Sequence, residues 1–457
     1  MRRHVLYGRY GTNDSVAVRL RDDETGTEIN LISPSNELEH GIGGALVDLE
    51  RIGLFPSTLG LDLLVLALHV QAADTRISRT SESQDSWTRE IRIVVPVTTP
   101  ELWATVGPII KRALDFLTGD RWIIEFRSKP RRLPNLAPSP GLHSSPHSLD
   151  GVSLFSGGLD SLVGAIDVLE QGGNPVLVGH VGDGPTSAAQ SACLKGLIKQ
   201  YGAARFKYLR LWMDLRRVEV RGSEHEKTMR GRSFLFFAAG ILAATSLNKE
   251  FKLLVPENGF IALNVPLDPL RLGSHSTRTT HPFYVARWNE MLKALGIPGR
   301  IENPYWDKTK GEMIESCANK VLLEKLMPRS LSCSSPSKGR WLHKAIQQCG
   351  YCLPCLIRRA AILRGLGAGM DETVYTISDL TKRVLDSTEA EGQQVRSVQL
   401  AASRLNRRPG LAPLLIHTSG SLSDESKVRQ EALVDMYRRG LAEVEQLIKD
   451  VRTEASK

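Results

Sequence analysis

The segment Val152–Ser161, VSLFSGGLDS, determines how the rest of the chain is interpreted. Its first half is a short apolar run typical of a buried strand, and its second half begins an apolar helical pattern that extends to about Gln171. Gly157 and Gly158 stand at the junction, where backbone N–H groups and the positive end of the helix dipole attract an anion. Glycine turns between strand and helix also occur without a ligand, so the turn alone indicates a phosphate loop without establishing one.

The residues that follow repeat the order strand, loop, helix. The pattern predicts strand 175–181, helix 187–201, strand 206–212, a buried helix at 233–245 and strand 252–256. Short apolar runs separated by helices are typical of a parallel sheet with helices on both faces. The predicted fold is therefore α/β, with a doubly wound parallel sheet.

Length and composition limit the class of protein. The chain has 457 residues, of which 41% are hydrophobic and 24% charged, as in globular proteins, and it is long enough for about three domains. The apolar stretch 61–70 is about half of the roughly 20 residues that a bilayer span needs, and the first residues lack the apolar core of a signal peptide. We therefore expect a cytoplasmic protein without a membrane partner. Its net charge of +9 suits nucleotides or RNA and does not distinguish them.

Four of the six cysteines form a cluster in the sequence. Cys349, Cys352 and Cys355 form C-x₂-C-x₂-C, and Cys333 lies upstream. In a cytosolic chain such clustering favours a metal over disulfides, and four thiolates form the closed tetrahedral shell of structural Zn²⁺. An iron–sulfur cluster also takes four thiolates, although Arg359 stands where a ferredoxin run has its next cysteine. Unligated thiols are the remaining alternative.

The N-terminal part, residues 1–127, is predicted to be a small α/β domain. Segments 61–70 and 90–97 are both strand-like, and Thr99 is a predicted N-cap of the helix that follows. This part has no catalytic grouping of His, Cys or paired carboxylates, so we interpret it as a domain that docks a partner.

Three further regions complete the predicted organisation. Residues 128–150 are rich in Pro and Ser and are predicted to be a linker. Residues 151–385 hold the sheet and the cysteines. Residues 386–457 are predicted to be a helical extension, with an apolar stripe from Leu433 to Val451 that is typical of a packing face.

The loop sequence SGGLDS resembles the signature of the PP-loop ATP pyrophosphatases, whose fold is adenine nucleotide alpha hydrolase-like. It lacks the Lys of the Walker loop. In that superfamily the loop holds the β and γ phosphates as leaving pyrophosphate, so a nucleophile attacks the α phosphate and becomes an adenylate. The resemblance implies that ATP, with Mg²⁺ as its counter-ion, is bound by Ser156, Gly157, Gly158, Leu159, Asp160 and Ser161.

The loop and the cysteines together resemble the 7-cyano-7-deazaguanine synthase (QueC) family. The cysteine run continues as C-G-x-C-x₂-C-L-x-R, which ends at Arg358, and the segments 230–235 (RGRSFL) and 309–314 (TKGEMI) are similar to two more family segments. The resemblance covers about Val152 to Gly365. The long flanks and the insertion 256–282 depart from it, and that architecture resembles the QueC-like component of Qat-type bacterial anti-phage systems.

The resemblance implies a two-step reaction with Zn²⁺ as a structural metal. ATP adenylates the carboxylate of 7-carboxy-7-deazaguanine, and an amine then displaces AMP to form an amide. The amine is ammonia in biosynthesis, and in the defence version it is the N-terminus of a partner protein from the same operon. The implied catalytic residues are Asp160 and Ser161 of the loop, and Arg232, Lys310 and Arg358 as cations at the α phosphate.

Each of these cations also has a structural interpretation. Arg232 could lie on a solvated basic face, Lys310 could cap a surface helix, and Arg358 could orient the zinc-ligand loop. The insertion has two interpretations. It is a loop that recognises a purine edge or a peptide end, or it is a loop that faces solvent. Its polar residues are Glu257, Asn258, Asn264, Arg271, Arg278 and His281.

Three alternative functions stay open at this point. One is a 7-cyano-7-deazaguanine synthase that makes the nitrile. Another is a PP-loop enzyme that modifies tRNA, which the net positive charge of the chain favours. The third is a scaffold that binds nucleotide without catalysis, which the long flanks suggest. Nucleic acid is therefore a less favoured partner than protein.

Overall fold

The N-terminal strands pair into one parallel sheet. The structure, a computed structural model, describes residues 3–35, 37–130, 136, 149–182, 184–268, 278–337 and 347–455. Its first elements are β1 (Arg3–Arg9), β2 (Glu24–Asn30), α1 (Ile42–Arg51), α2 (Thr58–Arg76), α3 (Arg79–Glu82), β3 (Glu90–Val97), α4 (Pro100–Thr118) and β4 (Arg121–Ser128). The strand order is β2-β1-β3-β4. The predicted linker begins at the last residue of β4, and most of it lies outside the described residues.

A second parallel sheet follows. Its region contains β5 (Gly151–Leu154), α5 (Leu159–Glu170), β6 (Pro175–His180), α6 (Gly184–Tyr201), β7 (Lys207–Leu211), α7 (Arg232–Thr245), β8 (Phe251–Leu254), α8 (Gly259–Leu263), α9 (Pro282–Ala294), β9 (Gly299–Glu302), α10 (Lys310–Glu315), α11 (Lys320–Leu326) and α12 (Leu353–Gly365). The five strands are parallel, in the order β7-β6-β5-β8-β9.

Helices cover both faces of this second sheet. Val176 and Val178 of β6 belong to the core on the α7 side, and Leu177 between them belongs to the core formed with α5 and α6. Successive side chains of a strand point to opposite faces, so β6 is buried on both. The predicted α/β architecture with a parallel sheet is therefore confirmed.

The C-terminal part is mainly helical. It contains β10 (Leu385–Asp386), α13 (Ala390–Arg407), α14 (Ala412–Leu415), α15 (Lys427–Ile448) and β11 (Thr453–Glu454). The apolar stripe of α15 packs into a separate core with α8, α12 and α13. Its residues are largely buried, as a packing face requires.

The prediction of a strand at 61–70 was wrong, because these residues lie within α2. An apolar run without periodicity fits a strand buried on both faces as well as a helix buried all round. α2 is such a helix, since every residue from Gly60 to Asp74 is buried. Leu and Ala dominate the run, and both favour helix.

α2 joins the two sheets through α7. A Cβ at Gly60 would lie 2.6 Å from Thr245 Oγ1 and 3.5 Å from Leu242 Cα, so the two helices approach closely at this glycine. Side chains of α2, α7 and both sheets share one hydrophobic core. None of the helices in the described part of the chain is both long and apolar enough to cross a bilayer.

Candidate functional site

The glycine turn lies at the reversal point of the second sheet. β5 is flanked by β6 on one side and β8 on the other, so the chain leaves β5 and β8 on opposite sides of a crevice. In open parallel sheets, ligands bind at this point, outside the carboxyl ends of the strands. A ligand site is therefore expected at the residues that follow β5 and β8.

Packing accounts for the first glycine of the turn. Gly157 has φ +79°, and a Cβ there would lie 2.8 Å from the backbone N of Gln190. Gln190 fixes the turn from α6, because its side-chain amide donates to Ser156 O (3.4 Å) and His180 O (3.2 Å). On the other side, Leu331 N donates to Gly157 O (2.9 Å). The turn is thus held by two elements before any ligand binds.

The second glycine opens α5 without a cap. Gly158 is the N-cap residue, and no side chain of the described residues caps this end of the helix. Ser156 Oγ lies 3.2 Å from Ser161 Oγ, and Ser161 Oγ donates to Gly158 O (3.0 Å). Leu159 is buried and anchors the helix. The unused N–H groups of the first turn, together with the exposed Ser156, form a surface that suits an anion.

Asp160 brings two distant segments to this turn. Its Oδ2 accepts hydrogen bonds from Asn258 Nδ2 (2.8 Å) and Asn258 N (3.3 Å), just after β8. Its Oδ1 lies 3.2 Å from Lys310 Nζ, and the Lys310 side chain is only 7% exposed. Lys310 therefore does not cap a surface helix, and the pair places a cation beside the glycine turn.

Thr309 begins the helix that carries Lys310. Its Oγ1 accepts from Glu312 N (3.1 Å), and Glu312 Oε2 accepts from Thr309 N (2.8 Å), so the two form a capping box. The Thr309 hydroxyl also donates to Glu443 Oε1 of α15, and Gly311 N donates to Glu443 Oε2 (3.3 Å). Glu443 cannot be identified from the sequence, because a single acid beside an apolar stripe has no distinguishing pattern.

Glu257 is the first residue after Pro256 at the end of the β8 segment. Its N–H donates to Asn303 Oδ1 (3.3 Å) and its carbonyl accepts from Asn303 Nδ2 (2.7 Å), so the backbone is held in place. The Thr280 hydroxyl donates to its Oε2. Desolvation is the main cause that raises the pKa of Glu257 to about 7, and the charge of Asp160 adds to the increase. The hydrogen bond from Thr280 and the charge of Lys310 act to lower the pKa.

Arg232 lies at the end of the neighbouring strand β6. It is the first residue of α7, and a Cβ at Gly182 would lie 3.3 Å from its Nη2, so the side chain reaches the loop after β6. This loop follows the strand next to β5. Arg232 therefore lies at the same edge of the sheet as the glycine turn.

The N-terminal part holds the start of α7. Gly231 N donates to Asp74 Oδ2 (2.7 Å), and the buried Arg230 donates to Thr118 O (2.9 Å) and stacks on Trp87 (3.8 Å from the guanidinium carbon to the ring centroid). Desolvation lowers the pKa of Arg230 to about 10. The helix that presents Arg232 is thus anchored by contacts from the other sheet's unit.

Arg358 is completely buried and does not reach the glycine turn directly. Its guanidinium donates to Met327 O (2.6 Å), Ser330 Oγ (2.8 Å) and Thr373 Oγ1 (3.1 Å). These contacts hold the segment whose Leu331 N–H binds the turn. The described contacts of Arg358 are those of a structural residue that supports the loop from behind.

The four clustered cysteines come together as a metal site requires. All four sulfur atoms lie within 4.8 Å of one another, in the group Cys333, Cys349, Cys352 and Cys355. Two of the Sγ–Sγ separations are 3.9 and 3.8 Å, close to the spacing of about 3.8 Å that tetrahedral Zn–S bonds of roughly 2.3 Å imply. The four cysteines could therefore bind a metal such as zinc.

Backbone groups already point at these sulfurs. Cys349 N donates to Cys333 Sγ (3.3 Å), and Cys352 N donates to Cys349 Sγ (3.3 Å). Such bonds favour thiolate, the form that ligates a metal.

The insertion separates into two groups of residues. Asn258 binds Asp160 of the loop, and Glu257 beside it is held by Asn303 and Thr280. Arg278 instead donates to Phe116 O (2.8 Å), His281 is a buried N-cap that accepts from Phe283 N (3.2 Å), and Asn264 ends α8 in a left-handed conformation. Arg271 lies outside the described residues.

No protein-family model matches the chain, and no curated protein matches it.

Proposed function

We propose that this chain is an ATP-dependent enzyme that adenylates a carboxylate and passes the acyl group to an amine. The observation that carries the proposal is the Asp160–Lys310 pair at the opening of an uncapped helix that follows a glycine turn. An uncapped helix start suits a polyphosphate. A cation in a partly desolvated position stabilises charge that develops when the α phosphate is attacked.

In this proposal the loop residues and the cations have different tasks. The backbone of Ser156–Ser161 and its two hydroxyls hold the β and γ phosphates, which leave as pyrophosphate. Asp160 holds Lys310 and Asn258 in place, and Lys310 and Arg232 stabilise the α phosphate. Mg²⁺ enters with ATP as its counter-ion, because the Asp160 oxygens already face Asn258 and Lys310. Zn²⁺ bound by the four cysteines has a structural role.

The substrate class comes from the resemblance to the QueC family. We propose 7-carboxy-7-deazaguanine as the carboxylate and, following the Qat-type resemblance, the N-terminus of a partner protein as the amine. The large N-terminal and C-terminal parts favour a macromolecular acceptor over ammonia, since a small-molecule reaction needs neither. We propose a cytoplasmic location for the reaction, where ATP is available as cosubstrate.

The first test removes the charge of Asp160 while keeping its shape. Full-length Asp160→Asn protein, given ATP, Mg²⁺ and 7-carboxy-7-deazaguanine, should form AMP and pyrophosphate at least on the order of 100-fold more slowly, because the amide has no negative charge for Lys310 and only one acceptor oxygen for Lys310 and Asn258 together. Chromatography of AMP and a coupled pyrophosphate assay give the two rates.

Glu170→Gln is the matched control. Glu170 is an exposed acid at the other end of the same helix, so its variant should retain the wild-type rate. Unchanged turnover in Asp160→Asn, or a wild-type protein that releases no pyrophosphate with this carboxylate, contradicts the proposal.

A further inference from the structure

Acyl transfer to an amine requires a group that accepts a proton. When the amine nitrogen attacks the carbonyl carbon of an acyl adenylate, a C–N bond forms and the C–O bond to phosphate breaks. The bonding electrons leave with AMP, and the nitrogen must lose a proton to become a neutral amide. The acceptor must lie at the carboxyl edge of the sheet, beside the phosphate loop, and must keep a lone pair available.

We propose that Glu257 is this general base, an assignment that rests on the proposed function. Glu257 immediately precedes Asn258, which binds the loop's Asp160, so its backbone lies next to the phosphate turn. Asn303 fixes that backbone through both its N–H and its carbonyl. The position of the carboxyl group is therefore built into the fold.

The two oxygens of this carboxyl group have different surroundings. Oε2 accepts from the Thr280 hydroxyl. Oε1 has no hydrogen-bond partner among the residues that the structure describes, and Glu257 as a whole residue is half-buried. One oxygen is thus oriented by the protein, and the other is available to the attacking amine.

The charged groups that act on Glu257 lie on two other elements. Asp160 from α5 raises its pKa and Lys310 from α10 lowers it, while desolvation raises it most, to about 7. A general base works best when its pKa lies near the working pH. Because the deprotonated form is active, acyl transfer should increase as the pH rises through about 7.

The test separates adenylation from transfer in the full-length protein. Exchange of labelled pyrophosphate into ATP with 7-carboxy-7-deazaguanine reports adenylation. Hydroxamate formation with hydroxylamine, which is largely uncharged near pH 7, reports transfer. Glu257→Gln should keep exchange within about twofold and slow hydroxamate formation at least on the order of 100-fold, with loss of the pH dependence near neutrality.

Two further variants sharpen the result. Thr280→Val removes a hydrogen bond that lowers the pKa of Glu257, so the pH profile of transfer should shift to higher pH. Glu250→Gln, an exposed acid just before β8 at the opposite edge of the sheet, should behave as wild type.

The outcomes distinguish the two proposals. If Glu257→Gln transfers at the wild-type rate, or loses exchange and transfer equally, Glu257 is not the base although adenylation stands. If the wild-type protein shows no exchange, the proposed function fails, and the assignment of Glu257 fails with it.

Discussion

Individual side chains differ in how far their sequence context reveals their task. The spacing of the four cysteines predicts a metal site, because ligand type and spacing are both specific. The sequence around a single arginine does not show where its side chain points. Arg232 and Arg358 both belong to segments that resemble the family, yet of the two only Arg232 reaches the sheet edge that carries the loop. The direction of a long side chain depends on packing that no local pattern records.

The cysteine site gives a prediction at this scale. Cys352→Ser should lose the metal and unfold at a lower temperature, because metal binding at a structural site contributes to the free energy of folding, on the order of 10 kcal/mol in small zinc domains. Metal analysis of the purified protein and a thermal melt measure both effects.

Cys193→Ala is the comparison for that experiment. Cys193 is a buried cysteine of α6 outside the cluster, so its variant should keep the metal. A Cys352→Ser protein that retains a full complement of metal contradicts the prediction.

At the scale of elements, regular periodicity was the reliable guide. The helix after Thr99 and the alternation of strands and helices after Val152 were predicted, since each shows a periodic pattern or a clear boundary. α2 was missed because a helix buried all round has no polar face to reveal its period. The contact of α15 with the start of α10 cannot be predicted from local sequence, because the two helices lie far apart in the chain.

The contact between α15 and α10 makes its own prediction. Glu443→Ala leaves the Thr309 hydroxyl and Gly311 N–H without their acceptor, so the start of the Lys310 helix should shift. We expect kcat for AMP formation to fall about tenfold or more while KM for ATP changes little, because Lys310 acts on charge that develops in the transition state.

Steady-state kinetics at saturating 7-carboxy-7-deazaguanine measure this split between kcat and KM. Glu431→Ala, an exposed acid on the same helix, should leave both constants unchanged, and Glu443→Gln should recover part of the rate by supplying one acceptor. Equal kinetics in Glu443→Ala and wild type argue against the positioning role.

At the scale of the whole molecule, the two sheets depend on one another. Trp103 and Ile93 of the N-terminal unit and Phe237 and Leu253 of the second sheet's unit belong to the same hydrophobic core. A buried ion cluster reinforces the N-terminal side, where Arg89, together with Arg79, lowers the pKa of Asp120 although desolvation acts to raise it. Composition and length predict several domains, and they contain no information on whether those domains share a core.

This shared core predicts joint unfolding. Hydrogen exchange followed by mass spectrometry should show β3 and β6 opening with the same free energy, because each sheet loses the core that the two share when the other separates. The separate core around α15 is the internal comparison and should open independently. If β3 exchanges while β6 stays protected, the two sheets are independent units.

The close packing of α2 on α7 also has a consequence for synthesis on the ribosome. α2 ends at Arg76, and its partner α7 is complete only at Thr245. At typical translation rates of about 5–20 residues per second, the nascent chain spends on the order of ten seconds or more with that apolar helix surface lacking its partner. During this interval we expect the exposed surface to attract cotranslational chaperones, and rare codons between the two helices would lengthen its exposure.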